Sequence, residues 1–301
     1  MSRPPTFVPP ACATARILRT DRGDFAVLDA APAEGAPRRG TVLLLPGFTG
    51  SKEDFIALLE PLARAGYRAV SVDGRGQYET PGPDDESAYA QAELARDVLA
   101  QAAALGAGAD GRAAGDGARP HLLGHSLGGQ IARAAVLRDP GAFATLTLMS
   151  SGPAAITPLQ RTRAQMLAEA VAALPMDEVW QAMRAMEPPP PQEAETGQDP
   201  DDGEALRARW LLHSPAQLIA TGRQLSTEPD RVAELTALPL PKHVISGERD
   251  DTWPVPLLDD MAERLGARRT VIRGAEHSPN TDRPAETAAA LVDFWHAHGP
   301  R

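Results

Sequence analysis

The segment from 121 to 129 constrains the fold of this chain more than any other. It reads His-Leu-Leu-Gly-His-Ser-Leu-Gly-Gly, and an amphipathic helical pattern follows it up to Arg138. The apolar run before Gly124 predicts a buried strand, so Ser126 falls in a sharp turn between a strand and a helix. Glycines two residues before and after Ser126 remove side chains that would collide in such a turn. The pattern therefore predicts a nucleophile elbow with Ser126 at its tip.

Strand-like and helix-like segments alternate around this turn. Short apolar runs lie at 25–28, 41–45, 68–72, 120–124 and 145–149, and again at 243–246 and 270–272. Amphipathic helical patterns separate them at 51–65, 84–105 and 126–138, and follow at 255–265 and 285–296. Strands that are apolar along their whole length and alternate with helices are typical of parallel sheets covered on both faces. We therefore predict an α/β fold with a mostly parallel, doubly wound sheet.

The alternation stops between residues 150 and 240, where only helical patterns occur. This predicts a core domain formed by 1–149 and 241–301, with a helical cap, or lid, inserted at 150–240. Within the insertion, 187–203 combines a run of four prolines with an acidic polar stretch, which predicts a mobile loop. A second loose stretch at 106–118 is rich in glycine, alanine and aspartate and predicts a long connection.

A serine hydroxyl is a weak nucleophile, so Ser126 needs a base, and the base needs an orienting carboxylate. Behind an elbow of this kind, the acid and then the histidine follow the serine along the chain. Of the seven histidines, only His277 follows a late strand in a loop. The loop after the preceding strand offers Glu248, Asp250 and Asp251, of which we prefer Asp250. The predicted catalytic residues are therefore Ser126, Asp250 and His277.

Three motifs together resemble the α/β-hydrolase superfamily, in its esterase-like, lipase-like and peptidase-like branch. They are Gly-His-Ser-Leu-Gly-Gly at 124–129, Gly-Glu-Arg-Asp at 247–250 and Gly-Ala-Glu-His-Ser-Pro at 274–279. The resemblance covers nearly the whole chain. In the family, the acid stands three residues after a strand-end glycine, with a proline four residues further on. Gly247 and Pro254 fit that pattern, which favours Asp250 over Asp251.

The resemblance also implies where an oxyanion would be stabilised. Leu-Pro-Gly-Phe-Thr-Gly-Ser at 45–51 resembles the family's oxyanion segment. It implies that the backbone N–H groups of Phe48 and Leu127 form the oxyanion hole. Many relatives have His-Gly where this chain has Pro46-Gly47, so hydrogen bonds from that histidine are absent here.

The chain also departs from the family pattern Asp-x-Arg-Gly-x-Gly-x-Ser after the fourth strand. Here the sequence from 73 to 81 is Asp-Gly-Arg-Gly-Gln-Tyr-Glu-Thr-Pro. Two positions for Gln77 and Tyr78 follow from this departure. Either both side chains line the mouth of the site, or they lie exposed on a loop.

These observations predict a serine hydrolase that cleaves a carboxylic ester or lactone through an acyl-serine intermediate. Apolar faces in the insertion predict a small-molecule substrate with an apolar part, and no cofactor or metal is expected. The net charge of −10 disfavours binding to nucleic acid or anionic membranes. Without an apolar run long enough for a signal peptide or a membrane span, we expect a cytoplasmic location. Assembly into a homodimer is left open.

Several other functions stay open on the same fold. An aminopeptidase would need an acidic cap pocket, for which Glu178, Glu187 and Glu204 are candidates. A C–C-bond hydrolase or a lyase could use the same three residues, and a non-catalytic ligand-binding homologue is a further alternative. Phosphate-loop binding is disfavoured because Lys52 follows a serine where that motif requires a glycine.

Overall fold

The computed structural model describes residues 3–106, 119–186 and 200–298, and its centre is an eight-stranded sheet. The strands are β1 (Ala13–Thr20), β2 (Gly23–Ala30), β3 (Gly40–Leu45), β4 (Tyr67–Val72), β5 (His121–His125), β6 (Thr145–Met149), β7 (Lys242–Gly247) and β8 (Arg268–Ile272). Their order is β1-β2-β4-β3-β5-β6-β7-β8. Strand β2 runs antiparallel to β1 and β4, whereas β4-β3-β5-β6-β7-β8 is parallel throughout. The predicted mostly parallel sheet is confirmed.

The helices of the described chain cover both faces of this sheet or belong to the insertion between β6 and β7. They are α1 (Ile56–Arg64), α2 (Gln91–Gly106), α3 (Leu127–Arg138), α4 (Pro158–Ala173), α5 (Met176–Met186), α6 (Pro200–Leu212), α7 (Pro215–Thr227), α8 (Val232–Thr236), α9 (Val255–Leu265), α10 (Pro279–Asp282) and α11 (Pro284–His298). Helices α2, α3, α8 and α9 share one hydrophobic cluster with the sheet, and α1 and α11 share another. This is the doubly wound arrangement, with apolar side chains buried on both sides of the sheet.

Strand β1 is absent from the sequence prediction. It forms a hairpin with β2 at the edge of the sheet, and most of its side chains are partly or fully exposed. An edge strand with one face in solvent needs no continuous apolar run, and β1 carries Arg16 and Arg19. Arg16 donates to the Asp29 carboxylate on β2 at 2.8 Å, so a polar side-chain contact joins the two strands at this position.

Helices α4 to α8 lie between β6 and β7, and the described part of 150–241 contains no strand. Trp180, Leu206, Trp210 and Leu218 pack together in a hydrophobic cluster among these helices. Leu225 and neighbouring residues of α7 and α8 join the main core instead. The division into a core and a separate cap therefore remains a prediction. The segments predicted as loops lie mostly outside the described residues, although α6 already begins at Pro200.

Two contacts attach the junction of α6 and α7 to loops at the carboxyl end of the sheet. The buried Arg209 guanidinium on α6 forms an ion pair with Asp54, with 2.8 Å between Nη1 and Oδ1. The backbone N–H of Ser214 donates to the Gly76 carbonyl at 2.8 Å. Asp54 follows β3 and Gly76 follows β4, so both contacts reach loops at the carboxyl end of the sheet. This part of the insertion is therefore joined directly to the loops that surround Ser126.

Candidate active site

Ser126 occupies the turn between β5 and α3, as the sequence predicts. Its backbone has φ 55° and ψ −118°, a conformation that non-glycine residues rarely adopt. The Ser126 N–H donates to the Met149 carbonyl at 2.9 Å, which holds the turn against β6. A methyl group at Gly124 would lie 2.2 Å from the Gly128 oxygen, and one at Gly128 would lie 2.4 Å from the Leu45 oxygen. Both glycines are therefore required for the close approach of strand, turn and loop.

His277 reaches this turn from the loop between β8 and α10. Its Nε2 atom lies 3.1 Å from Ser126 Oγ, and its Nδ1 atom lies 3.0 Å from each oxygen of Asp250. The Asp250 side chain is fully buried and accepts the N–H groups of Thr252 at 2.9 Å and Trp253 at 3.0 Å. A carboxylate at Nδ1 favours the tautomer that leaves Nε2 free to accept the serine proton. The structure thus brings Ser126, His277 and Asp250 together.

The two other carboxylates considered from the sequence lie elsewhere. The Asp251 side chain is 65% exposed and accepts a hydrogen bond from Gln160 Nε2 at 2.5 Å. Glu248 accepts the N–H of Gly274 at 2.9 Å. Neither contacts His277, so the geometry favours Asp250 among the three candidates.

His125 and Trp253 hold His277 from two sides, a role that the sequence analysis missed. The Nε2–H group of His125 donates to the His277 carbonyl at 2.9 Å. Burial lowers the pKa of His125 to about 4, and the positive charge of a protonated His277 acts in the same direction. The Trp253 ring is stacked on the His277 ring at 6.3 Å. His125 is adjacent to Ser126 and Trp253 is three residues from Asp250, and this proximity in sequence could have indicated their role.

The loop after β3 passes beside Ser126 and carries Phe48. A methyl group at Gly47 would lie 3.4 Å from Ser126 Cβ, so the loop backbone lies in contact with the serine. Leu127 follows the serine as the first residue of α3. Within the described chain, no backbone carbonyl accepts the N–H of Phe48 or Leu127. Neither N–H group is therefore engaged by a backbone acceptor, as an oxyanion hole requires.

Gln77 lies beneath this loop, and neither position considered for it from the sequence is correct. Its side chain is buried, and Nε2 donates to the Gly47 carbonyl at 2.9 Å. The neighbouring Tyr78 is half-buried, with Lys52 Nζ 4.5 Å from its ring centroid. Neither Gln77 nor Tyr78 lines the cleft above Ser126. The departure from the family pattern does not reveal this position, because the Gln77 side chain points inward to a carbonyl thirty residues earlier in the chain.

A cleft of about 470 Å³ opens above Ser126 and His277. Its apolar wall is formed by residues from the β3 loop and the insertion, namely Phe48, Ile156, Ala164, Leu167 and Leu225. Its polar side carries Gln160 and Arg163 of α4 and Asp251 of the β7 loop. The cleft therefore combines an apolar wall with a charged rim, next to a nucleophile–base pair.

An aminopeptidase would need an acidic pocket, and the two described residues considered for it do not form one at the cleft. Glu178 and Glu204 are exposed and do not line the cleft, and Glu187 lies outside the described residues. Among the residues that the structure describes, no group of three or more His, Cys, Asp or Glu side chains could hold a metal ion. No described helix is long and apolar enough to cross a membrane.

A sheet of this strand order, with a serine at the strand–helix turn after β5, defines the α/β-hydrolase fold. The sequence model of the Alpha/beta hydrolase family matches residues 42–290, and the chain belongs to that family. Its members include hydrolases of several kinds. The family assignment agrees with the resemblance drawn from the three motifs.

Two curated relatives are similar over part of their length. One is 2-succinyl-6-hydroxy-2,4-cyclohexadiene-1-carboxylate synthase of Enterobacter sp. (strain 638), 30% identical over 179 residues, which are 58% of this chain and 65% of that protein. The other is the provisionally named carbamate hydrolase RutD of Variovorax paradoxus (strain S110), 35% identical over 120 residues and 40% of each chain. The chain thus spans less than two thirds of either relative.

Solved structures share the fold over nearly the whole chain. A hydrolase from Pseudomonas aeruginosa PA01 has a TM-score of 0.71 at 23% identity, covering 93% of this chain and 98% of that one. A thermophilic esterase from Thermogutta terrifontis has a TM-score of 0.71 at 21% identity, covering 96% and 100%. At these identities the similarity establishes the fold alone, and the substrate has to be inferred from the residues of the site.

Proposed function

We propose that this protein is a serine hydrolase that cleaves a carboxylic ester or lactone. The observation that carries the proposal is the continuous chain of hydrogen bonds from Ser126 through His277 to Asp250, at 3.1 Å and 3.0 Å. This series of hydrogen bonds ends at the Ser126 hydroxyl, which lies in an open cleft. The N–H groups of Phe48 and Leu127, which donate to no backbone carbonyl of the described chain, lie in the adjoining loop and helix. The combination suits acyl transfer to serine.

In this mechanism, Ser126 Oγ attacks the substrate carbonyl carbon while His277 Nε2 takes the hydroxyl proton. The carbonyl oxygen becomes an oxyanion that the N–H groups of Phe48 and Leu127 stabilise, and the buried Asp250 stabilises the imidazolium. The tetrahedral intermediate collapses with cleavage of the bond to the alcohol oxygen, which receives the proton from His277. Water then attacks the acyl-serine by the same route, with His277 as base, and releases the acid and free Ser126.

The cleft supports a small substrate with an apolar part. Its volume of about 470 Å³ is at the small end of the usual range for ligand pockets. The wall formed by Ile156, Leu167 and Leu225 suits an alkyl or aryl group. Similar solved structures include an esterase and an enol-lactonase by name, and both names denote cleavage at an acyl carbon.

A second candidate is a lyase-type reaction, in which the Ser126–His277 pair removes a proton and no acyl-enzyme forms. The partial similarity to the 2-succinyl-6-hydroxy-2,4-cyclohexadiene-1-carboxylate synthase favours it. The two candidates differ in whether a covalent acyl-serine accumulates during turnover. Trapping that species by rapid acid quench and mass spectrometry separates them.

The primary test treats the protein with a fluorophosphonate and measures its intact mass. We expect one adduct on the wild-type protein, mapped by peptide analysis to Ser126, and none on Ser126→Ala. Ser126→Ala should also lower kcat for an ester or lactone by roughly 10³–10⁶. Ser278→Ala is the matched control, because Ser278 also lines the cleft. Labelling that persists in Ser126→Ala, or an unlabelled wild-type protein that is folded, would contradict the proposal.

A further inference from the structure

A positive side chain, Arg163 of α4, lies on the polar side of the cleft. Its guanidinium is 59% exposed, and the nearest carboxylate oxygen, on Asp251, is 3.6 Å away. That separation is too long for a hydrogen bond. Within the described chain, no other acceptor takes a hydrogen bond from Arg163. The cleft therefore holds a guanidinium whose donors are unused.

The carboxylate beside it is already engaged. Asp251 Oδ2 accepts from Gln160 Nε2 at 2.5 Å, and Oδ1 accepts from the Thr252 hydroxyl at 3.3 Å. The spare hydrogen-bonding capacity at the rim thus lies mainly with donors. A ligand that fits this rim must bring acceptors, and a negative charge on it would be attracted to Arg163.

We propose, on the basis of the ester-hydrolase function above, that the cleft selects substrates that carry a carboxylate, and that Arg163 binds it. A guanidinium matches a carboxylate with two parallel hydrogen bonds. An exposed ion pair such as Arg163–Asp251 contributes little, so an incoming carboxylate can displace Asp251 at small cost. The apolar lining residues of the cleft, among them Ile156, Leu167 and Leu225, then receive the carbon chain between the carboxylate and the scissile ester.

The test compares mono-4-nitrophenyl adipate with its methyl ester, methyl 4-nitrophenyl adipate, at pH 7.5, where the free acid is ionised. A second pair, 4-butanoyloxybenzoate and its methyl ester, places the carboxylate on the alcohol side of the scissile ester bond. Arg163→Met should lower kcat/KM by about tenfold for whichever acid the wild type hydrolyses better, and by much less for the methyl ester of that acid. Arg161→Met is the matched control, because Arg161 is an exposed arginine on the same helix that does not line the cleft. Asp251→Asn should raise the preference for the acid.

Two results would overturn this inference. In one, Arg163→Met affects the acid and its methyl ester equally. In the other, the wild type discriminates against both acids and Asp251→Asn removes that discrimination, which would indicate a site for cations. If no ester is hydrolysed, the proposed function itself fails. Calorimetric binding of adipate to Ser126→Ala, with and without Arg163→Met, then decides the carboxylate site separately, and equal binding would refute it.

An independent observation concerns Gln77, which is buried in the turn after β4. Its Oε1 atom accepts the N–H of Gly74 at 3.0 Å, which directs Nε2 toward the Gly47 carbonyl at 2.9 Å. The Gly47 carbonyl and the Phe48 N–H belong to one planar peptide unit, in which the two groups point in opposite directions. Fixing the oxygen therefore fixes the direction of the N–H. A hydrogen bond to the carbonyl also polarises that N–H.

We infer that Gln77 is a positioning residue for the proposed oxyanion hole, a role that rests on the proposed function. Gln77→Met keeps the size of the side chain and removes the N–H donor. Gln77→Glu keeps the shape of the side chain and replaces the donor with a carboxylate oxygen. Both should lower kcat by about tenfold, a fraction of the loss expected for a deleted oxyanion donor. KM should change much less. Affinity for a trifluoromethyl ketone, which forms a tetrahedral adduct on serine, should fall in parallel with kcat.

Tyr78→Phe is the matched control in the same turn, because Tyr78 does not contact Gly47. Thermal unfolding of each variant reports on structure alone. A lower Tm with unchanged kcat and unchanged ketone affinity would show a purely structural role and overturn the inference. If no ester is hydrolysed, the rate of fluorophosphonate labelling gives the same comparison, and equal rates for wild type and Gln77→Met would overturn it. An unlabelled wild-type protein would instead refute the proposed function.

Discussion

Four buried histidines should make this protein unstable in mildly acidic solution. His121, His125, His213 and His243 are at most 2% exposed. Burial is the largest cause that lowers the pKa of each imidazole, to about 4 for His121, His125 and His213 and to about 3 for His243. In the unfolded chain these side chains return to a pKa of 6.5. Between those values, the unfolded state binds protons that the folded state excludes.

The sign and size of the effect follow from linkage. Because the unfolded chain binds more protons below pH 6.5, the free energy of unfolding falls as the pH falls, until the folded-state pKa is reached. From pH 7.5 to pH 5.0 each histidine should lower it by about 2 kcal/mol, and the four together by about 8 kcal/mol. A domain is typically stable by about 5–15 kcal/mol, so the loss is a large share of the total.

Urea unfolding followed by tryptophan fluorescence at pH 7.5 and pH 5.0 measures this difference. The chain has four tryptophans, all of them buried. At pH 5.0 carboxylates with lowered pKa values, such as Asp29, remain ionised. Burial raises the pKa of Asp73 to about 7, so protonation of this carboxyl in the folded state offsets part of the loss caused by the histidines. His243→Asn should reduce the pH-dependent difference by about 2 kcal/mol. His298→Gln, at an exposed histidine, is the control and should change it far less, since a charged His298 is only a minor cause of the low pKa of His121.

The reasoning would be refuted by equal unfolding free energies at the two pH values, or by greater stability at pH 5.0. It would also be refuted if His243→Asn left the difference between pH 7.5 and pH 5.0 as large as in the wild type. Either result would mean that these imidazoles bind protons as readily in the folded state as in the unfolded chain.

Further variants test the geometry around the serine and behind it. Gly124→Ala places a methyl group 2.2 Å from a backbone oxygen, so fluorophosphonate labelling should be lost, and a normal labelling rate would contradict the steric argument. Asp250→Asn should lower kcat by about 10⁴, whereas Asp251→Asn should leave turnover of a neutral ester nearly unchanged; the reverse pattern would reassign the acid. Arg133→Met leaves the Glu228 carboxylate buried without its 2.7 Å partner and should cost about 3–5 kcal/mol in urea unfolding, and a loss under 1 kcal/mol would show that water reaches the carboxylate.

The sheet and the arrangement around Ser126 could be predicted because local rules govern them. The two glycines flanking Ser126 are fixed by contacts within the turn and with the adjoining loop, and buried parallel strands are apolar along their length. The order of serine, acid and histidine follows from the connectivity of the parallel strands. Loop position therefore selects His277 and leaves three carboxylates, among which the resemblance to the family pattern favours Asp250 over Asp251.

Other features depend on contacts that the local sequence does not encode. Strand β1 is recognisable only through its pairing with β2, because its own residues are largely exposed. Gln77 and Gly47 are separated by thirty residues, and their hydrogen bond depends on how the loops after β3 and β4 meet. The Arg209–Asp54 pair spans 155 residues and depends on how the insertion folds back on the sheet.

The attachment of α6 and α7 has a consequence for engineering and for the way that such enzymes diversify. Exchanging residues 150–240 as one block for the insertion of a relative would remove Arg209 and Ser214, and with them the contacts to Asp54 and Gly76. The transplanted segment would bring a new substrate wall but would remove the Arg209 guanidinium from the buried Asp54 carboxylate. A chimera that keeps α6 and α7 and exchanges only α4 and α5 would alter specificity while preserving the scaffold. Recombination boundaries in this lineage should accordingly fall within the insertion and not at its two ends.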